Sequence, residues 1–439
     1  MKLKIYYILL IAYSLIASDL TQAIFVSIGP LNIYYMDIII FLVFIITFKH
    51  IKNYGVTLFI KSSNFLLFFL LWLIFEVIRG FTIYSNSAIG EIREFAPLFM
   101  CFVPFFLFNI KEMINKEDVY KVIENTIFIG GISALIILAI ELLIGGRFYL
   151  SDFNRQNGAF LEDPRGIRYL DVYHSFNLLV MAGYLFLRMN YVKKYNIKDV
   201  LISLLLIFAA IIAQGRTSII AVLVSLMVFL LIQRKFRIII YSITLPLIII
   251  AYLAIYYPLL LNEYFNVFLG AFSLFVNPNN DVTGTALWRA TVNLAALSQA
   301  IQTIWFGQGY GGYYYFNIPT FSAADSATIP HNLYIIILLK AGLIGVVLFL
   351  VFLFSLLVEL FKSGKRNKLD PRYCLFISIF FIIVLSQLPY GLGYTYINTI
   401  GLYSGFAFLL MYLQNEPFPL IAVSKNSLTI TQNEKDVLS

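Results

Sequence analysis

The chain has 439 residues, of which 61% are hydrophobic and only 12% charged, and its formal net charge is +8. A soluble domain carries about 25% charged residues, so a water-soluble globular protein of this length is excluded, because too few charges remain to cover its surface. The basic excess does not indicate nucleic acid, since the cations are scattered among loops rather than gathered on one polar face. Cys101 and Cys374, both inside apolar runs, offer neither a disulfide framework nor a cysteine-based zinc site.

Apolar runs of membrane-crossing length lie near residues 5–26, 31–48, 60–78, 94–110, 122–144, 169–187, 199–213, 218–233, 238–257, 331–358, 371–388 and 394–414. The expected fold is all-α, a polytopic membrane protein of about 12 transmembrane helices. Residues 1–257 hold helices 1–9, with an outer loop near 145–168. Residues 258–330 form a large outer loop with interfacial helices, one of them over Ala290–Ile304. Residues 331–414 hold helices 10–12, and 415–439 read as a disordered tail on the inner side. Lys2 and Lys4 before the first apolar run, with the small residues Ala17-Ser18 as a cleavage site, also suit a signal peptide. A retained first helix is the favoured reading, and the remaining spans keep their orientation either way.

Cation placement sets that orientation. With the N-terminus inside, 22 of the 31 cations fall on inner segments, including Lys49, Lys52, Lys116, Lys121, Lys193, Lys194, Arg234, Lys235, Lys365, Arg366 and Arg372. This is the positive-inside pattern. The outer segments hold Arg79, Arg93, Arg147, Arg155, Arg165, Arg168, Arg216 and Arg289, all arginine in a chain richer in lysine. A guanidinium grips phosphate bidentately where an ammonium does not, so phosphate recognition by some of these residues is expected. Tolerance of arginine at the membrane interface explains the same bias without a ligand.

The most informative stretch opens the tenth span: His331-Asn332, nine residues, then Gly342-Leu343-Ile344-Gly345. On a continuous helix, positions 331, 342 and 345 lie within about 60° of one another. The imidazole then sits at the membrane surface above a glycine stripe that lets another helix approach. Such a histidine can accept a proton from a sugar hydroxyl, or it can be an ordinary hydrogen-bonded interfacial residue. Arg216, in Gln214-Gly215-Arg216-Thr217-Ser218, occupies a tight outer turn whose amides and hydroxyls suit an anion; capping of a helix hairpin is the bland reading. Arg289 follows Trp288 in the large outer loop.

Arg93, in Glu91-Ile92-Arg93-Glu94, is either a third phosphate contact or half of a local ion pair. Arg155 is a candidate contact for the glycan or acceptor. Tyr310 and its neighbours Tyr313, Tyr314, Tyr315 and Phe316 suit stacking on sugars, or an interfacial aromatic belt. His174 reads as a core histidine. Asp19, Glu76, Glu141 and Lys340 interrupt spans and need partners; Lys340 is expected to pair with one of those carboxylates.

Arg216 in a turn, Arg289 in a large outer loop, and His331 in His-Asn-x9-Gly-x-x-Gly together resemble the O-antigen ligase/polymerase superfamily. Trp305-Phe306-Gly307-Gln308-Gly309-Tyr310-Gly311 is similar to the glycine-rich segment that follows the loop arginine there. The resemblance covers mainly residues 200–350. It implies a GT-C-like bacterial inner-membrane protein, working on the periplasmic face as an O-antigen ligase or polymerase of lipopolysaccharide or polysaccharide biosynthesis. The donor it implies is an undecaprenyl-diphosphate-linked glycan, and the acceptor a glycan or the lipid A core. Arg216, Arg289 and His331 become the catalytic residues of an inverting, metal-independent transfer, with no cofactor, and Arg93, Arg155, Tyr310 and Asn332 become substrate contacts. The chain has no Asp-x-Asp, the usual nucleotide-sugar metal clamp. The rival reading is a lipid-linked glycan transporter or flippase. Transporter sites lie near the bilayer midplane, whereas these candidates gather at the outer surface.

Overall fold

The computed structural model describes eight helices and six short strands, with the connecting residues 303–313 and a few residues beside other helix ends and near the N-terminus. The strands are β1 (Ile24–Ile28), β2 (Leu31–Tyr34), β3 (Thr57–Leu58), β4 (Tyr314–Phe316), β5 (Asp325–Ala327) and β6 (Phe418–Pro419). The helices are α1 (Lys61–Tyr84), α2 (Lys116–Ile144), α3 (Val172–Val192), α4 (Ile197–Ile212), α5 (Thr285–Gln302), α6 (Leu333–Arg366), α7 (Pro371–Ser386) and α8 (Tyr396–Tyr412). The described chain is thus almost entirely helical. Among the described residues, Ser62–Tyr84, Lys116–Ile144 and Leu333–Arg366 are long and apolar enough to cross a membrane.

Seven expected spans coincide with α1, α2, α3, α4, α6, α7 and α8. Those near 94–110, 218–233 and 238–257 lie outside the described residues. The windows 5–26 and 31–48 need amending where they meet: β1 and β2 pair antiparallel there, Ser27 opposite Asn32. The cause is local, since β-branched and aromatic residues flank Gly29-Pro30, a turn-forming pair. In the polar tail, β6 pairs with β3, Leu58 opposite Phe418.

Helix α3 is buried along most of its length, as its all-round apolar sequence dictates. Gly131 of α2 lets it approach, because a Cβ there would stand 2.4 Å from Met181 Sδ. Across the bundle, Phe376 of α7 lies 5.7 Å from Tyr403 and 6.0 Å from Phe406 of α8. Helix α1 runs antiparallel to α6: Ser62 bonds to Glu359, Phe69 lies 5.2 Å from Phe349, and Trp72 Nε1 donates to the Ala341 carbonyl at 2.8 Å.

Helix ends expected on one side of the membrane do meet. Arg372, at the start of α7, lies 3.1 Å from Glu124 of α2 and 3.5 Å over the Tyr120 ring. Tyr184 of α3 donates to the same Glu124 at 2.5 Å. Lys365 and Arg366 close α6 at that end, where cations complement the helix dipole.

Candidate functional site

Helix α6 begins at Asn332, whose side chain accepts from the Tyr334 amide at 2.9 Å and from the Ile335 amide at 3.3 Å. Asparagine is a favoured N-cap because it satisfies amides that the helix cannot. Ten residues on, α6 breaks. Gly342 has φ 68° and ψ −171°, a conformation in which any side chain would be strained.

The break corrects the continuous-helix projection: Gly342 leaves helical conformation, so the regular spacing assumed between 342 and 345 does not hold. Into the break comes not a helix but the glycine-rich turn that follows α5. The Gln308 amide donates to the Leu339 carbonyl at 2.7 Å and that of Gly309 to the Lys340 carbonyl at 3.1 Å. In return, the Leu343 amide donates to the Ile304 carbonyl at 2.7 Å and the Ile344 amide to that of Trp305 at 3.5 Å. Gly307 and Gly309 both have positive φ, 69° and 86°. A Cβ at Gly307 would stand 2.7 Å from the Gly342 nitrogen, and one at Gly342 would stand 2.2 Å from the Trp305 oxygen. The two glycines are needed because two backbones touch.

Helix α5 packs on the N-terminal part of α6. Val292, Ala296 and Ala300 form a buried cluster with Leu339 and Tyr314, flanked by Ile335 and Leu338. Since the C-terminal end of α5 leads to the Ile304–Leu343 bond and its packed stripe meets residues 335–339, the two helices run in the same direction. Arg289 lies in α5 three residues before Val292, within about 60° of the packed stripe on a helix projection. The N-terminal ends of α5 and α6 therefore face the same way. Where a helix lying on or dipping into the interface is expected, the structure has α5 running alongside α6.

Tyr310 is buried at 1% exposure. Gly80 of α1 admits its backbone, because a Cβ at Gly80 would stand 2.1 Å from the Tyr310 oxygen. Its ring is enclosed by protein, and the exposed rings of the stretch are Tyr313 and Tyr315. Tyr314 faces inward, and burial pushes its phenol well above the ordinary range. Lys340 is also buried, and its Nζ donates to the Gly312 carbonyl at 2.7 Å. Glu76, one of the carboxylates expected to pair with Lys340, is instead engaged by Arg79 at 2.6 Å. Arg93, Arg155, Arg216 and His331 lie outside the described residues, as does Asp19. His174 is buried in α3, as expected of a core histidine.

Residues that the sequence did not single out for this region are Trp72, Glu76 and Arg79. Arg79 NH2 donates to the carbonyls of Phe306 at 3.0 Å and Gly307 at 2.8 Å. Two ionisable residues three apart near one end of an apolar helix were the available signal.

Comparison with known proteins bears on the same stretch. Residues 201–350 match a family model described as O-Antigen ligase. A ComP-specific O-oligosaccharyltransferase of Acinetobacter baylyi is 25% identical over 351 residues, covering 74% of this chain and 58% of the relative. The chain thus spans little more than half the length of that curated relative.

Proposed function

We propose, from the match of residues 201–350 to the O-antigen ligase family model, that the protein is a membrane glycosyltransferase. It moves an O-antigen or related surface glycan from an undecaprenyl-diphosphate donor to an acceptor hydroxyl on the periplasmic face of the bacterial inner membrane. The observation that carries this reading is that the matched segment contains Arg216, Arg289 and His331 together with the glycine-rich turn and the part of α6 with which it interlocks. The name of the Acinetobacter relative specifies transfer to oxygen, which supports a hydroxyl acceptor.

The chemistry follows from the donor. The acceptor oxygen attacks the anomeric carbon as the bond from that carbon to the phosphate oxygen breaks, inverting the centre and releasing undecaprenyl diphosphate. His331 takes the hydroxyl proton. Negative charge grows on the leaving diphosphate, and Arg216 and Arg289 offset it with paired donors held in place before the reaction. Arg93 and Arg155 are further contacts for the phosphate and glycan. Asn332 serves by fixing the start of α6 next to His331, and Tyr310 by seating the turn. Outside the cytoplasm nucleotide sugars are scarce, so a donor already activated on lipid suits this face. The bundle is of GT-C type with about 12 spans, their length set by the bilayer.

The test is transfer in liposomes holding the full-length protein and a defined undecaprenyl-diphosphate-linked oligosaccharide. Wild type transfers the glycan, while Arg216→Ala, Arg289→Ala and His331→Ala insert normally and lose most turnover, of the order of 100-fold or more. Normal transfer by the alanine variants would remove the proposal.

A further inference from the structure

Arg79 is one of the outer arginines, yet its surroundings are not those of a residue awaiting a ligand. Glu76, fully buried, receives its Nε at 2.7 Å and its NH2 at 2.6 Å. The same NH2 donates to the Phe306 and Gly307 carbonyls. A carboxylate and two carbonyl oxygens already match this guanidinium, and an incoming diphosphate would have to displace them. On the opposite side of the turn, Lys340 of α6 donates to the Gly312 carbonyl. Together these side chains satisfy carbonyls at both ends of a non-helical backbone stretch. That stretch lies level with residues 339–344 of α6, about 10–16 Å along the axis from Leu333. At such a depth lipid provides no partners, and irregular backbone must find them within the protein.

We propose that Arg79, braced by Glu76, and Lys340 are positioning residues that lock the turn 306–312 against α6 and so fix where α5 holds Arg289. This rests on the reading of Arg289 as a donor contact. Arg289 lies 13 residues before the C-terminal end of α5, about 20 Å along a stiff helix. A tilt of about 10° at the turn displaces Arg289 by about 3 Å, and misplacement of even 1 Å is enough to slow a reaction roughly 100-fold.

The experiment compares wild type, Arg79→Ala and Lys340→Met as full-length protein in lipid nanodiscs, by hydrogen exchange and by turnover with the undecaprenyl-diphosphate-linked oligosaccharide. Exchange of peptides covering 304–312 is expected to rise at least tenfold while peptides of α2 and α3 keep wild-type rates. Turnover is expected to fall at least tenfold, and Arg79→Lys to restore part of it. In an Arg289→Ala background, Arg79→Ala is expected to cost less than a further twofold. Equal losses in both backgrounds, or faster exchange across the whole bundle, would indicate a general structural role and overturn the proposal. Should Arg289→Ala itself keep full turnover, the donor-contact reading fails instead, and exchange over 304–312 alone decides whether Arg79 and Lys340 hold the turn.

Discussion

The Gln308 amide donates to the Leu339 carbonyl at 2.7 Å, a bond available only because Gly342 takes α6 out of helical conformation. In an unbroken helix that carbonyl would accept from Leu343, four residues on. Leu343 donates to Ile304 instead, and Ile344 to Trp305, while Gly309 donates to the carbonyl of Lys340. Buried backbone groups must be paired, and here the broken helix and the turn exchange partners. A helix defect thereby becomes a joint between α5 and α6.

Gly342→Ala is expected to break that joint. The added methyl group meets the Trp305 carbonyl at 2.2 Å, and positive φ alone costs about 1–3 kcal/mol in a non-glycine residue. A thermal melt in detergent should show a clear loss of stability, with faster exchange at 304–312. Gly183→Ala is the contrast: its nearest new neighbour is Leu375 Cδ1 at 3.7 Å. Alanine in a helix interior gains about 0.5–1 kcal/mol over glycine, so this variant should melt at or above the wild-type temperature.

Trp72→Phe keeps an aromatic ring 5.8 Å from Phe306 but removes the donor to the Ala341 carbonyl. The expected loss is about 1 kcal/mol, visible as a shift of a few degrees in the melt. A wild-type melting temperature would mean that the helix itself satisfies that carbonyl.

Arg372→Met tests the opposite end of the bundle. Arg372 joins Asp370 at 2.7 Å and Glu124 at 3.1 Å, and removing one member of a largely buried ion pair costs about 3 kcal/mol or more. Stability should fall while turnover per folded molecule stays at the wild-type level, because this cluster lies at the far end of the helices from the turn.

Ligase and polymerase differ only in acceptor, and cells lacking the protein separate them. Surface glycans reduced to single repeats are expected of a missing polymerase. Full-length glycans stranded on the carrier lipid are expected of a missing ligase. Unaltered surface glycans would count against either role.

The apolar helices were legible because long apolar runs obey a solvent rule that needs no knowledge of packing. The glycine spacing after His331-Asn332 was legible as a pattern, but not in meaning: a projection at 100° per residue presumes the regular helix that Gly342 ends. The partners of Arg79 stayed hidden because its acceptors at 306 and 307 lie 227 and 228 residues away, and no local pattern records such a contact. Lys340 invited a carboxylate partner by charge; Glu76 is engaged by Arg79, and the Gly312 carbonyl that Lys340 does meet lies 28 residues away, beyond any local pattern.

Arg216, Arg289 and His331 are proposed to converge on one anion-binding pocket at the periplasmic surface. The direct test is pairwise cysteine cross-linking of Arg216→Cys with His331→Cys and of Arg289→Cys with His331→Cys, in a background lacking Cys101 and Cys374, using a membrane-impermeant reagent of short span. Both pairs are expected to couple when the reagent is applied from the periplasmic side. Failure of both pairs, or coupling only from the cytoplasmic side, would contradict it.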